Sequence, residues 1–491
     1  MADFDLVIRN ARVATASDVF ESDIGVKDGK VAALARGLPA GTEEVDAAGR
    51  WVLPGGVDTH CHFDQPLEPP VVMSDDFASG TVSAAHGGTT TIVPFACQQM
   101  GQSLRAAVED YHRRAAGKPV IDYAFHIIVA DPTDQVTGQE MPALVREGYT
   151  SFKIYTTYEG LKLDDRQVIR VLATARREGA MVMVHAENAD CIDWITDRLL
   201  EAGQTDAFFH ARSRPQAVER EGAHRAITMS EIVDCPILLV HVSSKETVEQ
   251  IRWAQSKGLN IYAETCPQYL VLTDDDLDKP KFEGAKYVCS PPPRDEASRQ
   301  AIWDGLSSGV FHCFSSDHSA YSFDTPDGKK AFGADADFTK IPNGLPGVET
   351  RLPLLFSEGV NTGRISINQF VALTATNPAR QYGLYPRKGS IAIGADADIV
   401  IWNDKAKITM SNAMLHHNCD YTPYEGMTFT AWPEVVFSRG EKIVADGKLN
   451  ARAGRGQFLE CDLPAPARPS PKPMAKRPVH AAGAGGHGHA H

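Results

Sequence analysis

Eight short apolar runs, separated by longer stretches of helical character, constrain this chain more than any other feature. They span 57–62, 89–95, 123–129, 151–155, 181–185, 237–241, 260–264 and 310–316. Extended runs that alternate with helices pack as parallel strands with the helices outside them. Eight is the count of a (β/α)8 barrel, or TIM barrel. The enclosing segment, 55–385, exceeds a minimal barrel of about 250 residues but suits one carrying insertions. A doubly wound open sheet is the competing α/β arrangement, and no Gly-x-Gly-x-x-Gly turn follows any of the runs to support it.

The flanks have a different texture. Residues 1–54 alternate short β-type runs, such as Leu6-Val7-Ile8-Arg9-Asn10, with turns, and Asp28-Gly29 is a strong hairpin signal. The same texture returns within 386–462, at 389–402 and 435–440. The two parts are expected to complete one another as a smaller β-sandwich beside the barrel. The final stretch, 463–491, is rich in Pro, Ala, Gly and Lys and ends His487-Gly488-His489-Ala490-His491. That composition cannot support a core, so the expectation is a disordered tail with incidental histidines.

Charge narrows the partners. Acidic residues outnumber basic ones 63 to 49, for a net charge of -14, which disfavours nucleic acid or an anionic membrane and suits a small neutral substrate. Nine cysteines without a Cys-x-x-Cys pair read as reduced core residues in a cytoplasmic setting. No signal-like N-terminus or bilayer-length apolar run is present, so neither export nor membrane anchoring is expected.

Groups able to bind metal stand at one end of the expected barrel. Side chains alternate along a strand, so His60 and His62 share a face while Cys61 points the other way. Lys153 lies in the fourth run, His185 ends the fifth, His241 ends the sixth, and Asp317 follows the eighth. Barrel enzymes assemble their sites at the C-terminal strand ends. Any one of these residues alone reads equally as a hydrogen-bonded core group, but together they describe a metal site. Lys153 is the odd member, because an ammonium only donates and repels a cation.

The sequence resembles the cyclic amidohydrolases, most closely the dihydropyrimidinase and D-hydantoinase family. The resemblance rests on Gly56-Val57-Asp58-Thr59-His60-Cys61-His62, Gly87-Gly88-Thr89-Thr90-Thr91, Ser151-Phe152-Lys153, Val184-His185-Ala186-Glu187-Asn188, His241-Val242-Ser243, Ser316-Asp317-His318, Ile341-Pro342-Asn343-Gly344 and Asn377-Pro378-Ala379-Arg380, in family order. It implies that Lys153 carries a carbamate formed with carbon dioxide (an N6-carboxylysine) that bridges two divalent ions. One ion would be held by His60, His62, Lys153 and Asp317, the other by Lys153, His185 and His241. Zinc is the default, with manganese or cobalt as substitutes. The implied reaction is attack of a metal-bridging hydroxide on a ring amide, with Asp317 shuttling the proton.

The same match makes Tyr158 the donor to the oxyanion, and places Ser290 and Asn343 where backbone groups read the amide edge of the ring. The segments 65–73 and 155–163 would form loops over the exocyclic substituent. Asp64 stands where the related dihydroorotases carry an arginine for a substrate carboxylate, so an anionic ring is not expected. The expected substrate is a 5,6-dihydropyrimidine or a 5-substituted hydantoin, opened to an N-carbamoyl amino acid. An allantoinase-like ureide hydrolase and a non-catalytic scaffold of the same fold are the alternatives. Segment 412–427 resembles the subunit-contact region of the family, which implies a homotetramer, or failing that a homodimer.

Overall fold

The computed structural model describes residues 2–468. All eight apolar runs contribute parallel strands, although the hydrogen-bond ladder is interrupted once. Seven strands form one sheet in the spatial order Phe95–Cys97, His126–Ile128, Ser151–Tyr155, Met181–His185, Ile237–Leu239, Ile261–Thr265 and Cys313–Phe314. Gly56–Asp58, Thr89–Ile92 and Asp122–Tyr123 form a second, three-stranded ladder. The break falls at Val93-Pro94, where proline offers no N–H to the ladder. Bonds from Ala124 N to Ile92 O and from His126 N to Pro94 O, both 3.0 Å, carry the pairing across it. At the seam, Cys61 bridges to His318 and His62 N donates to His318 O at 2.7 Å, which closes the barrel.

Parallel strands covered on both faces read as continuous apolar runs, and every residue of Ser151–Tyr155 and Met181–His185 is buried. Alternation sends Phe152 and Ile154 one way and Ser151, Lys153 and Tyr155 the other. Register places Lys153 beside Met183 and Tyr155 beside His185. The outer helices begin on side chains suited to the task. Asp164 caps Asp165–Glu178 in a reciprocal box with Gln167, and Gly179, at φ 78°, ends it in the left-handed conformation.

The smaller unit is one nine-stranded sheet that bends around its own core of Leu6, Ile8, Val13, Ile24, Val26, Ile399, Ile401 and Phe437. Its far strand, Lys30–Ala35, returns to the C-terminal segment through Val31 N to Ala395 O at 3.0 Å, so the folded sheet makes both layers of the sandwich. Asp28 and Gly29 both have positive φ, as the expected tight hairpin demands.

The stretch 386–462 does not all belong to this sheet. Met410, Tyr424 and Phe429 pack into the barrel core, and Phe458 sits among Tyr123, Phe125 and Tyr149 beneath the barrel. The start of the stretch expected as a tail, 463–468, is structured. Ala465–Ala467 form a 3-10 turn whose Ala467 is buried in the barrel core, and the terminal histidines lie outside the described residues. Apolar burial outweighed the loop-like composition of these segments.

Lys388 joins the two units. Its ammonium is fully buried and reaches Asp122 of the barrel at 2.7 Å, Asp396 at 3.0 Å and Asp398 at 2.8 Å. Among the described residues no helix is long and apolar enough to cross a membrane.

Candidate active site

The expected metal-binding residues converge at the C-terminal end of the barrel. His60 Nε2 lies 3.1 Å from Asp317 Oδ1 and 3.4 Å from Lys153 Nζ, and His62 Nε2 lies 3.5 Å from the same Asp317 oxygen. The His241 ring is 5.3 Å from that of His60 and 4.4 Å from that of His185. His60, His241 and Asp317 present ligand atoms within 4.8 Å of one another. A cleft of about 300 Å³ opens over them, walled by Gln65, Leu67, Met73, Tyr155, Tyr158, Leu161, Ser290, Tyr321, Asn343 and Gly344.

Several site residues occupy backbone conformations that side chains usually avoid. Tyr158 (φ 71°), His241 (φ 37°) and Asp317 (φ 47°) are all left-handed. Such strain costs of order 1 kcal/mol per residue and concentrates where a side chain must be aimed.

Burial sets the charges. It pushes His60 and His241 well below the ordinary histidine range, leaving neutral imidazoles with lone pairs to offer. Burial opposes ionisation of Asp317, but His60, His62 and Lys153 hold its carboxyl below the usual value. Burial lowers Lys153 to about 8 against the opposing pull of Asp317 and Glu264, since among the described residues no carboxylate pairs directly with its ammonium and the Phe95 and Tyr155 rings flank it at 5.0 and 5.1 Å. The Tyr158 hydroxyl is pushed up to about 12 by burial, so it remains a donor at neutral pH.

Behind the histidines stands a layer of polar groups that orient them. Glu264 Oε1 lies 2.5 Å from His60 Nδ1, Gln65 Oε1 lies 2.7 Å from His62 Nδ1, and Glu187 Oε2 lies 2.8 Å from His185 Nε2. Arg214 Nη1 donates to that same Glu187 oxygen at 2.7 Å. Each ring therefore spends one nitrogen on an orienting partner and keeps the other for the centre of the site.

A family model described as "Amidohydrolase family" matches residues 51–443. The chain belongs to this family. The D-hydantoinase of Geobacillus stearothermophilus is 45% identical to this amidohydrolase over 457 residues, covering 92% of this chain and 96% of the relative. The D-hydantoinase of Rhizobium radiobacter is 44% identical over 455 residues, covering 92% and 98%. The crystal structure of dihydropyrimidinase from Brevibacillus agri superposes with a TM-score of 0.90 at 43% identity, covering 93% of this chain and 98% of that one. The L-hydantoinase (dihydropyrimidinase) from Arthrobacter aurescens is more distant, at a TM-score of 0.84 and 28% identity, covering 93% and 100%.

The donor set of this amidohydrolase fits divalent cations. With His60 Nδ1 engaged by Glu264, its Nε2 faces Asp317 Oδ1 at 3.1 Å, an imidazole nitrogen and a carboxylate oxygen placed as two ligands of one cation would be. His241 Nδ1 is buried without any hydrogen-bond partner, a costly state for a nitrogen that holds nothing. A second cluster, His86, Glu349 and His416, also brings ligand atoms within 4.8 Å. Its two imidazoles stack at 3.4 Å and 8°, so their in-plane lone pairs lie in parallel planes and do not converge on one ion.

One expectation changes in the amidohydrolase structure. Asp64 does not face the cleft. It pairs with Arg114 at 3.0 Å and Lys118 at 3.7 Å, so its charge is spent locally and does not repel an anionic ring. The Ser290 hydroxyl lies 3.2 Å from His210 Nε2, which turns the side chain toward the protein and leaves the backbone for the cleft. Glu187, Glu264, Arg214 and Gln65 were missed as site residues by the sequence reading. Glu264 ends the seventh run and Glu187 follows His185 by two residues, so the strand-end signal that marks the histidines extends to them. Arg214 carries no comparable local signal.

Proposed function

We propose that this amidohydrolase opens the ring amide of 5-substituted hydantoins or 5,6-dihydropyrimidines by hydrolysis, giving N-carbamoyl amino acids. The observation that carries this reading is the convergence of His60, His62, Lys153, His185, His241 and Asp317 beneath one cleft, in a chain 44–45% identical to D-hydantoinases. A full set of donors also speaks against a non-catalytic scaffold.

His60, His62, Lys153 and Asp317 would hold one divalent ion, and Lys153, His185 and His241 the other. Zinc suits imidazole and carboxylate-type oxygen, with manganese or cobalt as substitutes. When bound, such a pair supplies an activated water and polarises the ring carbonyl. Lys153 makes this possible by adding carbon dioxide. Its neutral amine would form an N–C bond to carbon dioxide and release a proton, replacing a donor-only ammonium by a carbamate whose two oxygens share one negative charge, and its lowered basicity favours the neutral amine that this step needs. Asp317 accepts the proton of the attacking water and passes it to the departing ring nitrogen. Tyr158 donates its hydroxyl to the carbonyl oxygen as negative charge grows there. Backbone groups at Ser290 and Asn343 read the amide edge of the ring.

Segment 412–427, which exposes Ala413, Asn418, Asp420 and Glu425, is the contact surface of the proposed homotetramer, to be checked by light scattering. Nine free cysteines, seven of them buried, suit a cytoplasmic setting. The deciding experiment is a substrate panel on one metal-replete preparation. Hydantoin, both enantiomers of a 5-substituted hydantoin, dihydrouracil and allantoin are incubated and the N-carbamoyl products quantified. All hydantoins and dihydrouracil remaining intact would refute the proposal, and a preference for allantoin would redirect it to ureides.

A further inference from the structure

Lys329 is a buried lysine outside the metal-binding set. Its side chain is 1% exposed, and no carboxylate pairs with it among the described residues. An ammonium carries three donors and no acceptor, and here all three go to main-chain carbonyls: Val288 O at 2.9 Å, Pro342 O at 2.6 Å and Gly344 O at 2.8 Å. Those carbonyls belong to two segments far apart in sequence, and the same segments bring Cys289, Ser290, Asn343 and Gly344 to the wall of the cleft. Gly344 N also donates to Val288 O at 3.0 Å, so the segments touch directly at the point where the ammonium joins them.

Fixing a carbonyl fixes the amide across from it. In a planar trans peptide the C=O and the next N–H point in opposite directions. With Pro342 O held by Lys329, the Asn343 N–H is aimed away from the ammonium, and it meets no acceptor among the described residues. A main-chain donor left open on the cleft wall matches the C=O of a cyclic amide edge. Gly344 allows the loop to approach this closely, since a Cβ there would stand 2.2 Å from Ser319 O at a φ of 150°.

We propose that Lys329 is a positioning residue for substrate recognition: its ammonium ties Val288–Ser290 to Pro342–Gly344 and thereby presents the Asn343 amide edge to the ring. This rests on the ring-amide reading above. The residue touches no metal-binding side chain, so its effect is on substrate affinity and not on the assembly of the metal site.

The test compares Lys329→Met and Lys329→Gln with the wild type and with Lys330→Met, whose ammonium pairs at the surface with Asp324. Steady-state kinetics use the ring substrate that the wild type opens fastest, on metal-replete full-length protein. KM should rise about tenfold or more in Lys329→Met while kcat stays within about threefold and metal content is unaltered, the pattern of lost binding contacts. Lys329→Gln, which keeps two donors, should lose less, and Lys330→Met should match the wild type. Hydrogen exchange reads the same claim without any substrate: segments 288–290 and 342–345 should lose protection together in Lys329→Met. An unchanged KM with unchanged exchange would overturn the proposal. So would a fall in kcat accompanied by metal loss, or failure of both Lys329 variants to fold while Lys330→Met folds. If the wild type opens no ring amide, the functional reading fails by itself, and the exchange result still decides whether Lys329 ties the two segments.

Discussion

Replacing Glu187 by glutamine tests how one half of the metal site is held. Glu187 is fully buried, and its Oε2 accepts both His185 Nε2–H at 2.8 Å and Arg214 Nη1–H at 2.7 Å. Burial opposes ionisation, yet Arg214 and His185 hold the carboxyl at about 2, so His185 donates to an anion and keeps its Nδ1 lone pair free. A hydrogen bond to a charged acceptor contributes about 1.5–3 kcal/mol and a neutral one about 0.5–1.5 kcal/mol, so the glutamine weakens the hold on His185 by about 1 kcal/mol. At about 1.4 kcal/mol per factor of ten, affinity for the ion proposed to sit with His185 and His241 should fall about fivefold, just below the 10–100-fold loss typical of such orienting carboxylates. Metal-free protein, first shown by circular dichroism to be folded, is titrated with zinc against a chromogenic chelator. One of the two binding steps should weaken and the other should stay within about twofold, because Glu264 and Gln65 orient the first pair of histidines independently. Two unchanged steps, or two equally weakened ones, would refute the reasoning. The depressed carboxyl also fixes a sign in acid. Its contribution, roughly 3 kcal/mol for a shift from 4.5 to about 2, is present above about pH 4.5 and is lost as pH falls toward 2. The urea midpoint of metal-free wild type should drop across that window, and Glu187→Gln should lack this part of the drop.

Three other outcomes follow from the geometry. Lys153→Ala should lose the second metal, as counted by elemental analysis, together with turnover, and short carboxylic acids such as propionate should restore part of both; wild-type activity in the variant would contradict the bridging role. Tyr158→Phe should lower kcat about 10²–10³-fold at unchanged metal content, as for loss of an oxyanion donor. Because the Tyr158 hydroxyl titrates near 12, its ionisation should cause no loss of wild-type activity up to about pH 10. Lys388→Met leaves buried Asp398 without a cation and leaves Asp122 and Asp396 only Arg439 and Lys30, and should cost about 3–5 kcal/mol in urea unfolding; a loss below about 1 kcal/mol would show that Lys388 does not clamp the barrel to the sheet.

Much of the fold was legible because its signals are local. Ser151–Tyr155 and Met181–His185 are apolar along their whole length, as parallel strands buried on both faces must be, and Asp28-Gly29 turns its hairpin through its own backbone preferences. The segment 450–467, expected partly with the small sheet (to 462) and partly as tail (from 463), packs elsewhere for the opposite reason. Its composition is that of a loop, and only the barrel surface against which Phe458 and Ala467 pack gives it a place.

The candidate site divides along the same line. His60, His62, His185, His241 and Asp317 could be picked out by themselves, since each ends or follows an apolar run and strand ends share one face of a barrel, whereas Lys153, in mid-strand, was marked only by the family resemblance. The groups that orient and surround them could not. Glu264 meets His60 from 204 residues away, Arg214 reaches Glu187 from another element, and Lys329 joins carbonyls at 288, 342 and 344. The sequence by itself determined which candidate side chains stand at the strand ends and which periodicities build the barrel, because both are properties of short stretches of chain. Tertiary structure alone decided which buried charge faces which partner, because in a low-dielectric interior a charge is set by the groups that barrel closure brings within a few ångströms and not by its neighbours in sequence.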